Sequence, residues 1–264
     1  MTILYGGRWT LQVKKVTSSD LASVYCCINS QSPFVAGLQE SKGWFKDNFG
    51  RHVEGYHLLD GSKVVGHIYY ASSDQALVPY EMESGAACIY CTYLIRDYLN
   101  KGFGRMMFDH MKRDLRLQSV KGIMVPATEF REWMHYELFL KQGFQVRREH
   151  YPYKAMYFPL TKKDMKIEPL TVDYSPSIEK VEVTLFKSFF CPVGSFMYDR
   201  IKKVAQSFGD RVKIVEIDGT LANMRKYGST EPFINGKIKL YGPASEEDIM
   251  NAIEEEIFEL SKKQ

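Results

Sequence analysis

Residues 86–117 join three features in a fixed order: a near-continuous apolar run, AACIYCTYLI, a double-glycine turn, Gly102-Phe103-Gly104, and an amphipathic run. In the last, Met107, Met111 and Leu115 recur every four residues beside Phe108, while Arg105, Asp109, Lys112, Arg113 and Arg116 take the other face. The order reads as a buried strand feeding a helix. Glycines at a helix start bare the backbone N–H groups, and with the helix dipole these make an anion site. Two common phosphate loops do not fit. A dinucleotide G-x-G-x-x-G needs glycine where Met107 stands, and a Walker A loop needs Lys-Ser/Thr where Arg105-Met106 stand. A tight strand-to-helix turn without a ligand stays open.

The flanking sequence supplies an α/β context. Residues 11–16 alternate as a strand, and Thr17 and Asp20 cap and charge a first helical turn. Residues 29–50 read as a second helix with loops, and YHLLDGSKVVGHIYYA reads as a hairpin turning at Asp60-Gly61. After the helix come a strand, GIMVPA, a helix over roughly 129–142 ending at Gly143, and a closing hairpin. Residues 161–177 lose the periodicity and carry two prolines, as a linker does. A second pattern follows: strand VEVTLF, helix 195–208, strand VKIVEI, short helix LANMRKYG, hairpin PFINGKIKLYG, and a final helix capped by Ser245. The expected domains are 1–162, a linker at 163–177, and 178–264.

The bulk properties narrow the partners. With 45% hydrophobic and 14% aromatic residues the chain of 264 can fill real cores. A net charge of +3 suits a small anion and is too small for a nucleic-acid groove. No run of about 18 apolar residues is present, so no membrane span is expected, and the N-terminus carries no secretory pattern. The five cysteines, Cys26, Cys27, Cys88, Cys91 and Cys191, lack disulfide-scaffold spacing, which fits a reducing cytoplasm. Cys88 and Cys91 lie three apart on a strand, hence on opposite faces, and read as packing thiols. The histidines show no i,i+4 pair, and no metal is expected.

The segment LIRDYLNKGFGRMMFDHM resembles the cofactor loop of the GNAT superfamily, the acyl-CoA-dependent N-acyltransferases, and ELFLKQGF at 137–144 resembles that family's helix running into Gly-Phe. The order of elements over roughly 10–160 is similar as well. The resemblance implies a GNAT mixed sheet with flanking helices, acetyl-CoA as co-substrate, a small-molecule or peptide amine as acceptor, and direct transfer in a ternary complex. Successive N–H groups from Asn100 through Lys101, Gly102, Phe103 and Gly104 to Arg105 would hold the pyrophosphate, with Leu94 and Ile95 along the pantetheine arm. Three positions depart from the family pattern. Leu99 stands at the loop's Arg/Gln, Cys88 where some members carry a glutamate base, and Phe139 at the tyrosine that protonates the leaving thiolate. Tyr136, one turn before Phe139, is the hydroxyl that would take over.

The second pattern resembles the thioredoxin/glutaredoxin-like fold, specifically the YoaP-like module that follows some GNAT domains. FFCPVG puts Cys191 at the strand-to-helix junction, and TEPFINGK resembles the segment holding that fold's cis-proline, so that Pro232 would face Cys191. A thiol at a helix start is expected to have a lowered pKa. Gly194 replaces the resolving cysteine of C-x-x-C, which excludes a dithiol oxidoreductase of this domain alone. Besides an N-acetyltransferase, the residues fit a non-catalytic acyl-CoA-binding or regulatory protein, or a thiol-handling protein centred on Cys191. No motif names the acceptor or the oligomeric state.

Overall fold

The computed structural model describes residues 3–5, 9–176 and 179–262. The chain divides into two compact units, Met1–Asn29 with Phe45–Pro169, and Ser30–Trp44 with Leu170–Gln264. The first expected domain was continuous to 162. Instead, residues 30–44 group with the C-terminal part of the chain, and the division falls inside helix α1 (Leu38–Asn48).

The first unit is built on an eight-stranded mixed sheet. Its strands are β1 (Ile3–Tyr5), β2 (Trp9–Lys15), β3 (Glu54–Asp60), β4 (Lys63–Ser72), then, past the short β5 (Tyr80–Met82), β6 (Ala86–Leu94), and β7 (Gly122–Thr128), β8 (Gln145–His150) and β9 (Tyr153–Pro159). The spatial order is β1-β2-β3-β4-β6-β7-β9-β8, and only β6 and β7 run parallel. The expected linker holds a strand of its own: β10 (Ile167–Pro169) pairs antiparallel with β5 in the first unit.

Helix α2 (Phe103–Leu117) follows β6, as its apolar period predicts. Met107, Phe108, Met111 and Leu115 are buried in one cluster with Tyr56, Leu58, Ile68, Tyr70 and Ile89, the inward residues of β3, β4 and β6. Lys112 departs from its expected polar face. It is buried, its ammonium donates to the Gln142 carbonyl at 2.7 Å, and it sits 3.9 Å from the Phe158 ring centroid. The carbonyl and the ring together offset the cost of enclosing the charge.

The helix expected over 129–142 is reduced to α3 (Tyr136–Leu140). Thr128 explains the difference. Its N–H donates to the Met134 carbonyl at 2.9 Å, and its hydroxyl accepts from Phe130 N–H at 3.2 Å while donating to the Trp133 carbonyl. The segment therefore folds back on Thr128, with Met134 in the left-handed region at φ 47°. The helix end is as read: Gly143 takes φ 86°, and Phe144 N–H reaches the Phe139 carbonyl at 3.0 Å.

The second unit has a three-stranded sheet. Strand β11 (Val181–Lys187) lies between β12 (Val212–Asp218), parallel to it, and β13 (Phe233–Ile234), antiparallel. Helices α4 (Pro192–Ser207) and α6 (Glu246–Ser261) bury Met197, Ile201, Val204, Ile249 and Ile253 against Val181, Val183 and Leu185, and the short α5 (Leu221–Tyr227) lies between β12 and β13. Ser245 caps α6, accepting from Asp248 N–H at 3.0 Å. The expected hairpin at 232–242 shrinks to β13 and a single bridge, Ile234 to Lys237. Within this unit, Ser195 on α4 donates to Glu40, and the Phe34 and Phe196 rings meet edge-on at 5.4 Å. No helix among the described residues is long and apolar enough to cross a membrane.

Candidate active site

The parallel register of β6 and β7 ends after three residue pairs, at Cys88 with Met124. From there β6 stays with β4 and β7 stays with β9, so the strands splay and, among the described residues, no strand pairs with the β7-facing edge of Ile89–Leu94. The N–H of Thr92 on this edge meets the Met134 sulfur at 3.2 Å.

A β-bulge sits at the splay. Tyr69 opposes Cys91 while Tyr70 opposes Ile89, so Tyr90 is the extra residue. Its hydroxyl accepts from Leu77 N–H at 2.8 Å. The bulge reverses the strand's alternation. Cys88 and Cys91, expected on opposite faces, lie on one face, opposite Ala71 and Tyr69 of β4. Cys88 remains a packing thiol, fully buried with its sulfur 3.5 Å from Met124 sulfur. Cys91 does not.

Cys91 meets a buried imidazole. The Nε2 of His67 lies 3.4 Å from Cys91 Sγ, and the Nδ1 of the same ring lies 3.3 Å from Cys26 Sγ. The ring stacks on Tyr69, centroids 4.1 Å apart, and Tyr69 in turn accepts from Tyr25 N–H at 3.0 Å and stands 3.1 Å from His57 Nε2. Burial pushes His67 down to about 3 and the Cys26 thiol up to about 12. Burial also pushes His57 down to about 4, with Asp20 and Lys14 opposing each other as smaller influences. At neutral pH the imidazoles are uncharged and Cys26 is a thiol. These residues lie 24 and 41 positions from His67, and no local spacing announces them.

A 3-10 turn, Arg96–Tyr98, joins β6 to the glycine turn. Leu94 opposes Gly66, and a Cβ on Gly66 would come within 2.9 Å of Leu94 Cδ1 and 3.1 Å of Met107 Sδ. The Leu94 side chain thus fills the contact between sheet and α2, and Ile95 packs on the same core. Beyond them, Tyr98 donates to Asp60 at 2.8 Å, and its ring lies 6.2 Å from that of buried Phe103. These anchors hold both ends of an exposed turn in which Asn100 takes φ 59° and Gly102 φ 79°. The left-handed value at Gly102 is one that glycine adopts without strain. Among the described residues no side chain caps α2, and a Cβ at Gly102 or Gly104 meets nothing within 4 Å. At the start of the helix Gly102 and Arg105 are exposed. The Lys101 ammonium turns back to the Asp97 carbonyl of its own loop.

Residues 94–105 form one contiguous stretch. Tyr136 opens α3, half-buried on the first unit's core, with the His135 ring at 4.7 Å and the Lys154 ammonium 5.2 Å from its centroid. Phe139 is fully buried between Phe108 and Phe144, at 6.0 and 5.6 Å.

Cys191 belongs to the second unit, as the residue preceding α4. Its pKa is the reverse of the expectation. Burial pushes the thiol up to about 11, and backbone N–H groups of Gly194 and Val193 offset only part of that. The only cis peptide among the described residues is Tyr151–Pro152, so the expected cis bond before Pro232 is trans.

No family model and no curated protein matches the chain. Solved structures do. The PaiA N-acetyltransferase of Thermoplasma acidophilum, in complex with coenzyme A, is 14% identical, covers 57% of this chain and 99% of its own, and superposes with a TM-score of 0.44. The ribosomal-protein-S18-alanine N-acetyltransferase of Escherichia coli is 16% identical over 59% and 97%, at 0.44. The GNAT domain of S. lividans PAT is 11% identical over 60% and 96%, at 0.47.

Proposed function

We propose that the first unit is an acetyl-CoA-dependent acyltransferase of the GNAT kind, acting on an amine. One observation carries the reading: a parallel strand pair splays after Cys88 and Met124, and the freed strand leads through a 3-10 turn at Arg96–Tyr98 to a glycine-opened helix without a side-chain cap among the described residues. That arrangement fits an extended acyl thioester with a phosphate-bearing tail. The first-turn N–H groups of α2 and their dipole favour the pyrophosphate. The edge of Ile89–Leu94 offers backbone groups to the pantetheine amides as a neighbouring strand would. Thr92 N–H is one of them, once Met134 moves off it.

The resemblance implies direct attack in a ternary complex, and that route needs a proton acceptor and a proton donor. The positions the family uses hold Cys88 and Phe139, both fully buried and neither suited to the task. Tyr136 is one hydroxyl on α3 for the leaving thiolate. The thiol–imidazole pair at the splay is a second source.

The thioredoxin-like, YoaP-like reading of the second unit is supported by the β11-α4-β12 crossover, by antiparallel β13, and by Cys191 ahead of α4. A thiol raised to about 11 favours a structural role for that unit over thiol exchange.

The deciding experiment is a melting curve of the full chain with and without acetyl-CoA. At ~100 times its dissociation constant a ligand stabilises the fold by about 2.7 kcal/mol, a clear upward shift. An unchanged melting temperature overturns the reading. Acetyl-CoA consumption across a panel of amines then separates an enzyme from a non-catalytic acyl-CoA-binding protein.

A further inference from the structure

We propose that Cys91 is a nucleophile that carries the acyl group as a thioester, with His67 as its base and Cys26 positioning the imidazole. The proposal rests on the cofactor reading above and replaces its single step with two.

The geometry is that of an activated nucleophile: a thiol, an imidazole nitrogen within reach of it, and a third group on the far nitrogen. Cys91 Sγ lies 3.4 Å from His67 Nε2, and Cys26 Sγ lies 3.3 Å from Nδ1. A neutral imidazole has one N–H and one lone pair. With the N–H on Nδ1 donating to Cys26 Sγ, Nε2 is left as the acceptor for the Cys91 thiol proton. Stacking on Tyr69 at 4.1 Å, ring planes 10° apart, fixes the ring in that plane.

Placement is the second argument. Cys91 is two residues past the first residue beyond the splay and one past the bulge, on the strand whose free edge runs to the glycine turn. From Leu94 back to Cys91 is about 10 Å of strand at ~3.3 Å per residue. An arm lying along this edge from the turn brings its thioester to the neighbourhood of Cys91. Cys91 is half-buried, whereas His67 is fully buried.

The chemistry balances. Cys91 Sγ attacks the thioester carbonyl as its proton passes to His67 Nε2. The developing oxyanion and imidazolium form together as a pair, so the low-dielectric site never holds an isolated charge. The carbon–sulfur bond to coenzyme A breaks, and the departing thiolate takes the proton from Nε2. The products are acyl-Cys91 and free coenzyme A. In the second step an amine attacks acyl-Cys91, the bond to Sγ breaks, and the amine proton returns through Nε2 to the sulfur. No oxidant, metal or separate acid enters.

The test uses the full chain and acetyl-CoA without any amine, quenched in acid and read by intact and peptide mass spectrometry. One acetyl group should appear on Cys91, labile to hydroxylamine, at a rate that saturates with acetyl-CoA. Cys91→Ala should abolish it, and Cys88→Ala should not. His67→Gln should slow it by roughly 10²–10⁴-fold, the span of general acid–base catalysis, while the acetyl-CoA melting shift persists. Should that variant fail to fold, the Cys26 pair decides: Cys26→Ser keeps an acceptor for the Nδ1 proton and retains the rate, and Cys26→Ala slows it. A melting shift with no thioester on Cys91, or acetylation linear in acetyl-CoA and independent of His67, overturns the proposal and leaves the cofactor reading intact. No melting shift at all overturns the cofactor reading itself.

Discussion

Phe139 meets Phe108 edge-on, ring centroids 6.0 Å apart and planes at 89°, at the position where the family resemblance calls for a catalytic tyrosine. The residue is fully buried, so its ring is part of the packing between α3 and α2. Restoring the family residue should therefore not restore an acid. Phe139→Tyr places a hydroxyl among apolar rings, where an unpaired donor costs about 1–3 kcal/mol. Urea unfolding should show that loss, with acyl transfer no faster than in the parent. A gain in rate without loss of stability would show that the hydroxyl reaches the cleft.

Gly104 tests the anion site. A Cβ there meets nothing within 4 Å, so Gly104→Val has little to disturb in the unliganded fold beyond a few tenths of a kcal/mol of helix propensity. The same side chain would occupy the space a pyrophosphate needs against the helix start. The free variant should melt close to the parent, and the acetyl-CoA shift should disappear. A retained shift would move the cofactor away from the turn.

What the sequence shows of this site, and what it hides, divides by range. The strand into Gly102, the amphipathic α2 and the stop at Gly143 are legible because each depends on neighbours three or four residues away. Lys112 is buried against the pattern of its helix because its partners, the Gln142 carbonyl and the Phe158 ring, come from beyond the helix. The false helix at 129–135 fails for a similar reason: Thr128 captures that segment's backbone, a competition that apolar spacing does not register. The bulge at Tyr90 matters most. One added residue turns Cys91 to the face of His67, and no periodicity rule places that shift in advance. Residues 26, 67 and 91 are joined only by sheet register and by the segment that covers it.

Tyr136 separates the two sources of the proton for departing coenzyme A. If His67 returns that proton, Tyr136→Phe should leave the rate of Cys91 acetylation at the parental value. If Tyr136 supplies it, the rate should fall by roughly 10²–10⁴-fold with little change in the concentration of acetyl-CoA needed for half-saturation. Rapid-quench mass spectrometry of the thioester distinguishes these.

Cys191 answers whether the second unit handles thiols. Its sulfur precedes α4, where N–H groups from Val193 and Gly194 favour the thiolate, but burial outweighs them and pushes the pKa up to about 11. The sign is that of a group held in its neutral form: below pH 11 the thiol dominates, and the reactive thiolate grows about tenfold per pH unit up to that point. Iodoacetamide labelling of the native chain, followed by peptide mass spectrometry, should show Cys191 slow at pH 7 and still accelerating beyond the ~8.5 of a free cysteine. Cys26, pushed to about 12, and Cys88, raised further by complete burial, should label more slowly still. A labelling rate for Cys191 that levels off near neutral pH would mean that the helix start governs this thiol after all, and would return the second unit to monothiol chemistry.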